Sequence, residues 1–368
     1  MNRLASLLMG AAALAVATGS AAKADIVVGL AGPMTGGIAA FGEQLKRGGE
    51  KAVEDINAKG GVLGQKLKIE IGDDACDPKQ AVSVANDLVS KKAAVVIGHF
   101  CSGSSIPASS VYSEANVVEI SPASTNPQYT ERGLKNVFRV CGRDDAQGPT
   151  MADYIIDHFK GKVVAIVDDK QTYSKGLADA FKAELNKKGV KEVLYDEITQ
   201  GEKDYSALVT KLKQAKVDVL FYGGYQPEAA LIARQAKEQG MKLTVAGGDA
   251  LNDPEFNAIA GPAGDGTLFT FNPDATKDPA NAALVKWFQD QKYEPAGYTL
   301  YAYAALQAWA EAVTKAKSTD GTKVEEALRA NKFNTTLGTI GFDAKGDVIA
   351  PGFLVYEYNG GKYAYAPK

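Results

Sequence analysis

Histidine and cysteine are scarce in this chain, which has two histidines and three cysteines among its 368 residues. No group of cysteines and histidines has the spacing of a zinc site. The chain has no P-loop, no G-x-G-x-x-G dinucleotide motif and no G-x-S-x-G nucleophile turn. His99 and Ser102 are the one suggestive pair, and three residues along a strand and turn seldom aim an imidazole at a hydroxyl. The sequence therefore predicts neither an enzyme nor a protein that carries a metal or a cofactor.

Calcium-binding loops are also missing. The paired carboxylates Asp73-Asp74 and Asp168-Asp169 lack the ligand series of an EF-hand. Each pair follows an apolar run, so we expect both pairs to be solvent-exposed ends of strands.

The chain lacks a strong net charge and, beyond its first residues, any long apolar run. A formal charge of −3 gives no electrostatic reason to bind nucleic acid or anionic lipid. The apolar run Leu7–Val16 follows Arg3 and is too short to span a membrane. It ends before Ala22-Lys23-Ala24, which has the A-x-A pattern of a cleavage site. We predict a signal peptide at residues 1–24, cleavage after Ala24, export to the periplasm and no insertion into the membrane.

From Asp25 onward, short apolar runs alternate with amphipathic helical patterns. This alternation is typical of βαβ units with a parallel sheet, and the length exceeds that of one ordinary core. We therefore predict an α/β fold of two doubly wound lobes with parallel-sheet cores. The predicted strands of these sheets are Ile26–Leu30, Leu67–Ile71, Ala93–Ile97, Val117–Ile120, Val163–Val167, Val193–Ile198, Val217–Tyr222, Leu243–Ala246 and Thr267–Phe271.

Turn-rich segments indicate where the chain passes between the lobes. They are Cys141–Asp145, followed by a predicted helix at Met151–Phe159, then Asn272-Pro273 and Ala350–Gly352. Several crossings favour a hinged cleft over two independent domains. The tail is expected to form antiparallel strands and a hairpin from Thr339–Phe342, Phe353–Tyr358 and Tyr363–Tyr365. Each predicted lobe has two segments: 25–143 with 273–351 for the N-terminal lobe, and 144–272 with 352–368 for the C-terminal lobe.

Two turns rich in hydroxyl residues follow neighbouring predicted strands. The first, Gly98–Ser105, leads into a helix that we expect from Ser102 to about Ala115; the second is Ser121–Thr125. Free N–H groups, serine hydroxyls and the positive end of the helix dipole together suit an anion the size of a carboxylate. Because parallel strands end at one edge of the sheet, the two turns predict a small-ligand site.

The three cysteines are Cys76, Cys101 and Cys141. In an oxidising compartment one pair should form a disulfide and one thiol should remain. Cys76 and Cys101 both follow predicted strands at the same sheet edge, so we pair them and expect Cys141 to be a buried free thiol. The other pairings stay open on the sequence alone.

The chain after residue 24 resembles the periplasmic leucine/isoleucine/valine-binding proteins of ABC transporters over essentially its full length. The resemblance rests on long strings that occur in the same order. These strings are Asp73–Ala81, Val96–Ser102, Val167–Tyr173, Gly201–Asp204 and Tyr222–Tyr225.

The resemblance implies a type I two-lobed fold with the ligand between the lobes. It places Ser102 and Thr125 on the ligand carboxylate. It assigns the ligand ammonium to the Ala123 carbonyl, the Thr125 hydroxyl and the carboxylate of Asp249. Relatives often carry Glu at the position of Asp249, so the side chain here is one methylene shorter.

The rest of the implied site is aromatic. Tyr173 and Tyr225 are implied to close over the ligand from the second lobe, and Phe41 to line the aliphatic end of the pocket. Some relatives have a tyrosine hydroxyl where Phe41 has none. We interpret Asp144 and Gln147, at the first crossing, as hinge residues and not as ligands.

The sequence thus predicts a monomeric receptor that binds a branched-chain amino acid and delivers it to an ABC permease. One alternative keeps the fold and changes the ligand to another amino acid, an amide, urea or an aromatic acid. Another is an exported hydrolase, which the missing nucleophile–base pair disfavours.

Overall fold

The computed structural model describes residues 24–349 and 352–367. The predicted signal peptide therefore lies outside the described residues except for Ala24. Ala350 and Pro351 of the third predicted crossing also lie outside them. Within the described residues, two sheets form the cores of two lobes.

The first sheet has five parallel strands in the order β2-β1-β3-β4-β5. Every residue of β3 and β4 is buried, because helices cover both faces of the sheet. The strand at Val137–Arg139, at one edge of this sheet, has no counterpart among the predicted elements. The strands are β1 (Ile26–Gly32), β2 (Leu67–Asp73), β3 (Val95–Ile97), β4 (Val118–Ser121) and β5 (Val137–Arg139).

Helices connect these strands. The α2 helix begins with Pro78 in its first turn, and the Asp77 carboxylate accepts from the N–H groups of Lys79 and Gln80. The α3 helix begins at Ser102, which confirms the predicted start. The helices are α1 (Ala39–Ala58), α2 (Pro78–Ser90), α3 (Ser102–Glu114) and the short α4 (Gln128–Glu131).

The second sheet contains five parallel strands in the order β10-β9-β8-β6-β7. They match the predicted strands to within about two residues at either end, as apolar runs bounded by turn residues should. They are β6 (Val164–Asp168), β7 (Leu194–Glu197), β8 (Val219–Tyr222), β9 (Thr244–Gly247) and β10 (Leu268–Phe271).

The helix after the first crossing begins earlier than predicted. It starts at Asp144, not Met151, and carries Pro149 in its interior. The predicted turn at Asp144-Asp145 is therefore wrong, and these residues form the acidic first turn of the helix, where the helix dipole favours them. The remaining helices are α5 (Asp144–His158), α6 (Thr172–Lys187), α7 (Ser206–Gln214), α8 (Gln226–Glu238), α9 (Pro254–Ala260), α10 (Ala282–Asp290), α11 (Thr299–Ala316) and α12 (Gly321–Ala330).

The tail differs from the prediction in one respect. The predicted strand Thr339–Phe342 does not pair with the other tail strands. It corresponds to β12 (Gly338–Gly341), which pairs with β11 (Lys332–Thr335) in a separate two-stranded sheet. The hairpin is confirmed as β13 (Leu354–Asn359) and β14 (Lys362–Tyr365), added antiparallel to β10. The second sheet is therefore mixed, with an antiparallel edge on a parallel core.

The α11 helix packs against α1 of the first lobe, and α5 packs against α6 of the second. The division of the chain between the lobes stays a prediction. No helix in residues 24–349 or 352–367 is both long and apolar enough to span a bilayer.

Candidate binding site

The turn after β3 opens onto the cleft between the lobes. Ser102, only 1% exposed, is the first residue of α3, and its hydroxyl accepts from the Asn126 N–H at 3.2 Å. The first N–H groups of a helix have no partner within it, and the dipole places partial positive charge there. The turn therefore has the geometry expected of an anion site, and its binding of a carboxylate stays a prediction.

The second turn lies beside the first because β3 and β4 are paired. The Ser121 hydroxyl accepts from the N–H groups of Ala123 and Ser124, at 3.3 and 2.9 Å. Arg139, fully buried on β5, donates to the carbonyls of Ser124 and Asn126 at 2.5 and 3.0 Å. These bonds fix the backbone of the turn.

The second lobe contributes a carboxylate and two phenols. Asp249 follows β9 and is 3% exposed. The Tyr173 hydroxyl donates to Asp249 Oδ1 at 2.8 Å, and the ring of Tyr225 lies 5.2 Å from that of Tyr173. Because β6, β8 and β9 are adjacent parallel strands, the loops after them bring these three residues together.

A small cavity of about 10 Å³ lies where the two sets of residues meet, near the lower limit for one water molecule. Serine and alanine from the first lobe face tyrosine and aspartate from the second, with aromatic rings at the sides. The lining residues are Phe100, Ser102, Ala123, Tyr173, Tyr225, Asp249 and Ala250.

Asp249 is held by donors from both lobes. Besides Tyr173, Gln147 Nε2 donates to Oδ1 at 2.8 Å, and the Tyr298 hydroxyl donates to Oδ2. Burial raises the pKa of Asp249, and these hydrogen bonds oppose the rise. They favour the ionised carboxylate, which is the form that would pair with an ammonium group.

A second carboxyl, Asp144, is buried close by. Burial raises the pKa of Asp144 well above its ordinary value, and the negative charge of Asp249 raises it further. The Asp144 carboxyl and the Thr125 hydroxyl lie close together without a well-formed hydrogen bond. The Asp144 N–H donates to the Thr125 carbonyl at 3.0 Å, so the first crossing is attached to the second turn.

The sequence argued against a pair formed by His99 and Ser102, and both ring nitrogens of His99 have other partners. Its Nδ1 lies 2.5 Å from Asp74 Oδ2 and its Nε2 lies 3.0 Å from the Tyr112 hydroxyl. The expectation that Asp73-Asp74 and Asp168-Asp169 are solvent-exposed is wrong for Asp74, Asp168 and Asp169, which are 0–2% exposed. An imidazole and two tyrosine hydroxyls from distant parts of the chain hydrogen-bond to them, and the N–H groups of Lys170 and Gln171 in the same loop donate to Asp168 and Asp169.

The disulfide joins Cys76 to Cys101, with Cα atoms 5.7 Å apart, which confirms the predicted pairing. It attaches the loop after β2 to the residue before Ser102. Cys141 is a buried free thiol, also as predicted. Burial raises the pKa of this thiol, so it is poorly reactive.

Five of the seven predicted ligand-binding residues line the cavity. Phe41 lies behind them, with its ring stacked on Phe100 at 4.4 Å between centroids, and Thr125 lies beside Asp144. Sequence reasoning missed Phe100, although it sits inside the first turn. It also missed Tyr298, whose place before α11 carries no local signal, and treated Gln147 only as a hinge residue.

The model of the family described as "periplasmic binding protein" matches residues 25–362. The chain belongs to this family. It is 49% identical to Leu/Ile/Val-binding protein homolog 1 of Brucella melitensis over 96% of this chain and 97% of that protein. It is also 49% identical to an amino acid binding protein of Pseudomonas aeruginosa, over 94% of each.

Solved structures of periplasmic binding proteins share the fold. A leucine-binding protein of Thermotoga maritima superposes with a TM-score of 0.86 at 30% identity, covering 93% of this chain and 98% of that one. A branched-chain amino acid transporter substrate-binding protein of Streptococcus pneumoniae, solved with isoleucine, gives 0.85 at 26% identity, covering 92% and 97%. The chain therefore has the type I periplasmic binding fold, and the two-lobed α/β prediction is confirmed.

Proposed function

We propose that this protein is the substrate-binding component of an ABC importer and that it captures a branched-chain amino acid between its lobes. The observation that carries the proposal is the cavity, where Ser102 and Ala123 of one lobe face Tyr173, Tyr225 and Asp249 of the other. Its relatives named for leucine, isoleucine and valine support the same ligand class.

The residues around the cavity offer complementary ends for a zwitterion, which they must move apart to admit, because the cavity has room for about one water molecule. Ser102 and the first turn of α3 supply donors for a carboxylate. Asp249, whose carboxylate accepts hydrogen bonds from three donors, supplies the acceptor for an ammonium. In a buried site both interactions are charge-assisted and therefore fix the ligand's orientation. Phe100 and Tyr225 supply apolar walls for the side chain.

The ligand would stabilise contact between the lobes because each lobe holds one end of it. We propose that a permease recognises this closed arrangement. We further propose lobes of residues 25–143 with 273–351 and 144–272 with 352–368, a monomeric receptor, and cleavage after Ala24. Mass spectrometry of the exported protein tests the cleavage site.

Calorimetric titration of refolded, ligand-free protein with leucine, isoleucine, valine and leucinamide tests the function. We expect the three acids to bind tightly and leucinamide to bind much more weakly, since it has no carboxylate for Ser102. Alanine and phenylalanine would bracket the size of the side-chain pocket. Absence of heat with every amino acid would contradict the proposal and direct the search to amides and aromatic acids.

A further inference from the structure

A buried hydrogen bond joins the lobes away from the cavity. Gln44 lies on α1 in the first lobe, and Asp253 follows β9 in the second; both are 3% exposed. Gln44 Nε2 donates to Asp253 Oδ2 at 2.6 Å. Neither side chain lines the cavity.

Each partner is also fixed within its own lobe. Gln44 Oε1 accepts from the Tyr298 N–H at 2.7 Å, which determines which end of the amide faces Asp253. Asp253 Oδ1 caps α9 by accepting from the Glu255 N–H at 2.8 Å. The two groups therefore meet in defined orientations, with a donor against a carboxylate oxygen.

The same contact reaches the ligand site through Tyr298. While its N–H holds Gln44, its hydroxyl donates across the cleft to Asp249. Gly297, at φ +48°, fits between the lobes where a Cβ would lie 2.5 Å from Gln44 Oε1 and 2.9 Å from the Asn252 carbonyl. The lobes are thus packed closely along this side.

Opening of the cleft must break the Gln44–Asp253 bond, although neither side chain is among the residues that line the cavity. We propose that Gln44 and Asp253 form an interlobe latch that sets the affinity of the site by stabilising the closed arrangement. They are positioning residues, and this inference rests on the proposed function. Loss of a hydrogen bond to a charged group should shift the equilibrium between open and closed lobes by about ten- to a hundredfold. The affinity for the ligand can fall by no more than this factor.

The variant Gln44→Glu tests the latch, because it places a second carboxylate against Asp253 while keeping the acceptor for the Tyr298 N–H. We expect leucine to bind at least about tenfold more weakly at neutral pH. Adding Asp253→Asn supplies a donor to Glu at position 44 and keeps a good helix cap. The double variant should recover to within about threefold of the parent. Gln214→Glu, at an exposed position of α7, is the matched control and should change nothing.

Affinity would be measured by calorimetry, and closure by the radius of gyration from X-ray scattering with and without leucine. Thermal unfolding would confirm that each variant is folded. If Gln44→Glu does not fold, Gln44→Met removes the donor without adding a charge and should also weaken binding.

Gln44→Glu affinity within twofold of the parent, or no recovery in a folded double variant, would overturn the latch. If the parent itself binds no amino acid, the proposed function fails. The latch is then judged by scattering alone, where Gln44→Glu should be more open than Gln214→Glu.

Discussion

Asp249 shows how one residue depends on its surroundings. Asp249 lies a few residues before α9, but the residue that caps this helix is Asp253. The Asp249 carboxylate instead accepts from Gln147, Tyr173 and Tyr298, which come from both sides of the cleft. These donors stabilise a buried negative charge that would otherwise be too costly.

We expect Asp249→Asn to weaken leucine binding roughly 10- to 100-fold, because the ligand ammonium loses a charged hydrogen-bond acceptor. Calorimetry would measure the loss. Asp157→Asn, at an exposed position on α5, makes the same chemical change away from the cleft. Equal affinities for both variants would show that Asp249 does not hold the ammonium.

Asp253 predicts a dependence of stability on pH. Burial raises its pKa to about 6. Because the folded-state pKa lies above the ordinary value, this group stabilises the fold when protonated, and that stabilisation is lost as pH rises through about 6. As the pH falls from about 7 to about 4.5, protonation of Asp253 should raise the free energy of unfolding of the parent by about 2 kcal/mol.

The measurement is the free energy of unfolding by urea for the parent and Asp253→Asn across that range. Other carboxyls titrate in both proteins, so the difference between the two curves isolates Asp253. A difference that does not change with pH would contradict the assigned shift.

At the scale of elements, the loops after β2 and β3 form one unit. The Cys76–Cys101 disulfide joins them, and Asp74 of the first loop contacts His99 of the second at 2.5 Å. The Tyr225 hydroxyl of the other lobe lies 3.8 Å from Cys76 Sγ. The bridge thus supports the start of α3 directly behind the ligand site.

Replacing both Cys76 and Cys101 by Ser should lower the free energy of unfolding by roughly 3–4 kcal/mol, since the bridge spans 25 residues. Urea unfolding of the parent and the double variant measures this decrease in the free energy of unfolding. Cys141→Ala retains the bridge and should still lose stability on reduction, whereas the double Ser variant should not respond to reductant. A reductant response in the double variant would argue against the assignment.

At the scale of the whole molecule, the lobes also meet at a contact separate from the latch. Asn126 Nδ2 donates to the Thr172 carbonyl at 3.1 Å across the cleft. Gly176 on α6 leaves room for it, since a Cβ there would lie 2.5 Å from Asn126 Nδ2. This contact and the latch therefore both depend on the lobes being closed.

We expect Gly176→Ala to weaken leucine binding several-fold by opposing closure, with thermal stability unchanged or higher because Ala favours the helix by about 1 kcal/mol. Gly37→Ala, where a Cβ meets nothing within 4 Å, is the control. Calorimetry and thermal unfolding test the pair. A loss of stability in proportion to the loss of affinity would point to local damage and not to closure.

Local pattern was enough for much of this molecule. Apolar runs bounded by turn residues placed the parallel strands, and the first hydroxyl-rich turn placed the start of α3 at Ser102. The hydroxyl-rich turns lie side by side after β3 and β4, and their role in holding a carboxylate stays a prediction. Each of these signals lies within a few residues of the feature it determines.

The rest required contacts between distant segments. Asp74 and Asp168 can be buried because residues far away in the chain form hydrogen bonds with them. The local sequence does not show these partners and therefore wrongly predicted that the two carboxylates are solvent-exposed. Tyr298 and Gln44 reach the cleft only because α1 and α11 pack together.

The sequence by itself therefore determined the alternation of strands and helices, the fold class and the family. The tertiary structure decided which side chains share the cleft and which hydrogen bonds hold the lobes together. The physical reason is that secondary structure follows from neighbouring residues, whereas the environment of a buried polar group depends on residues far apart in the chain.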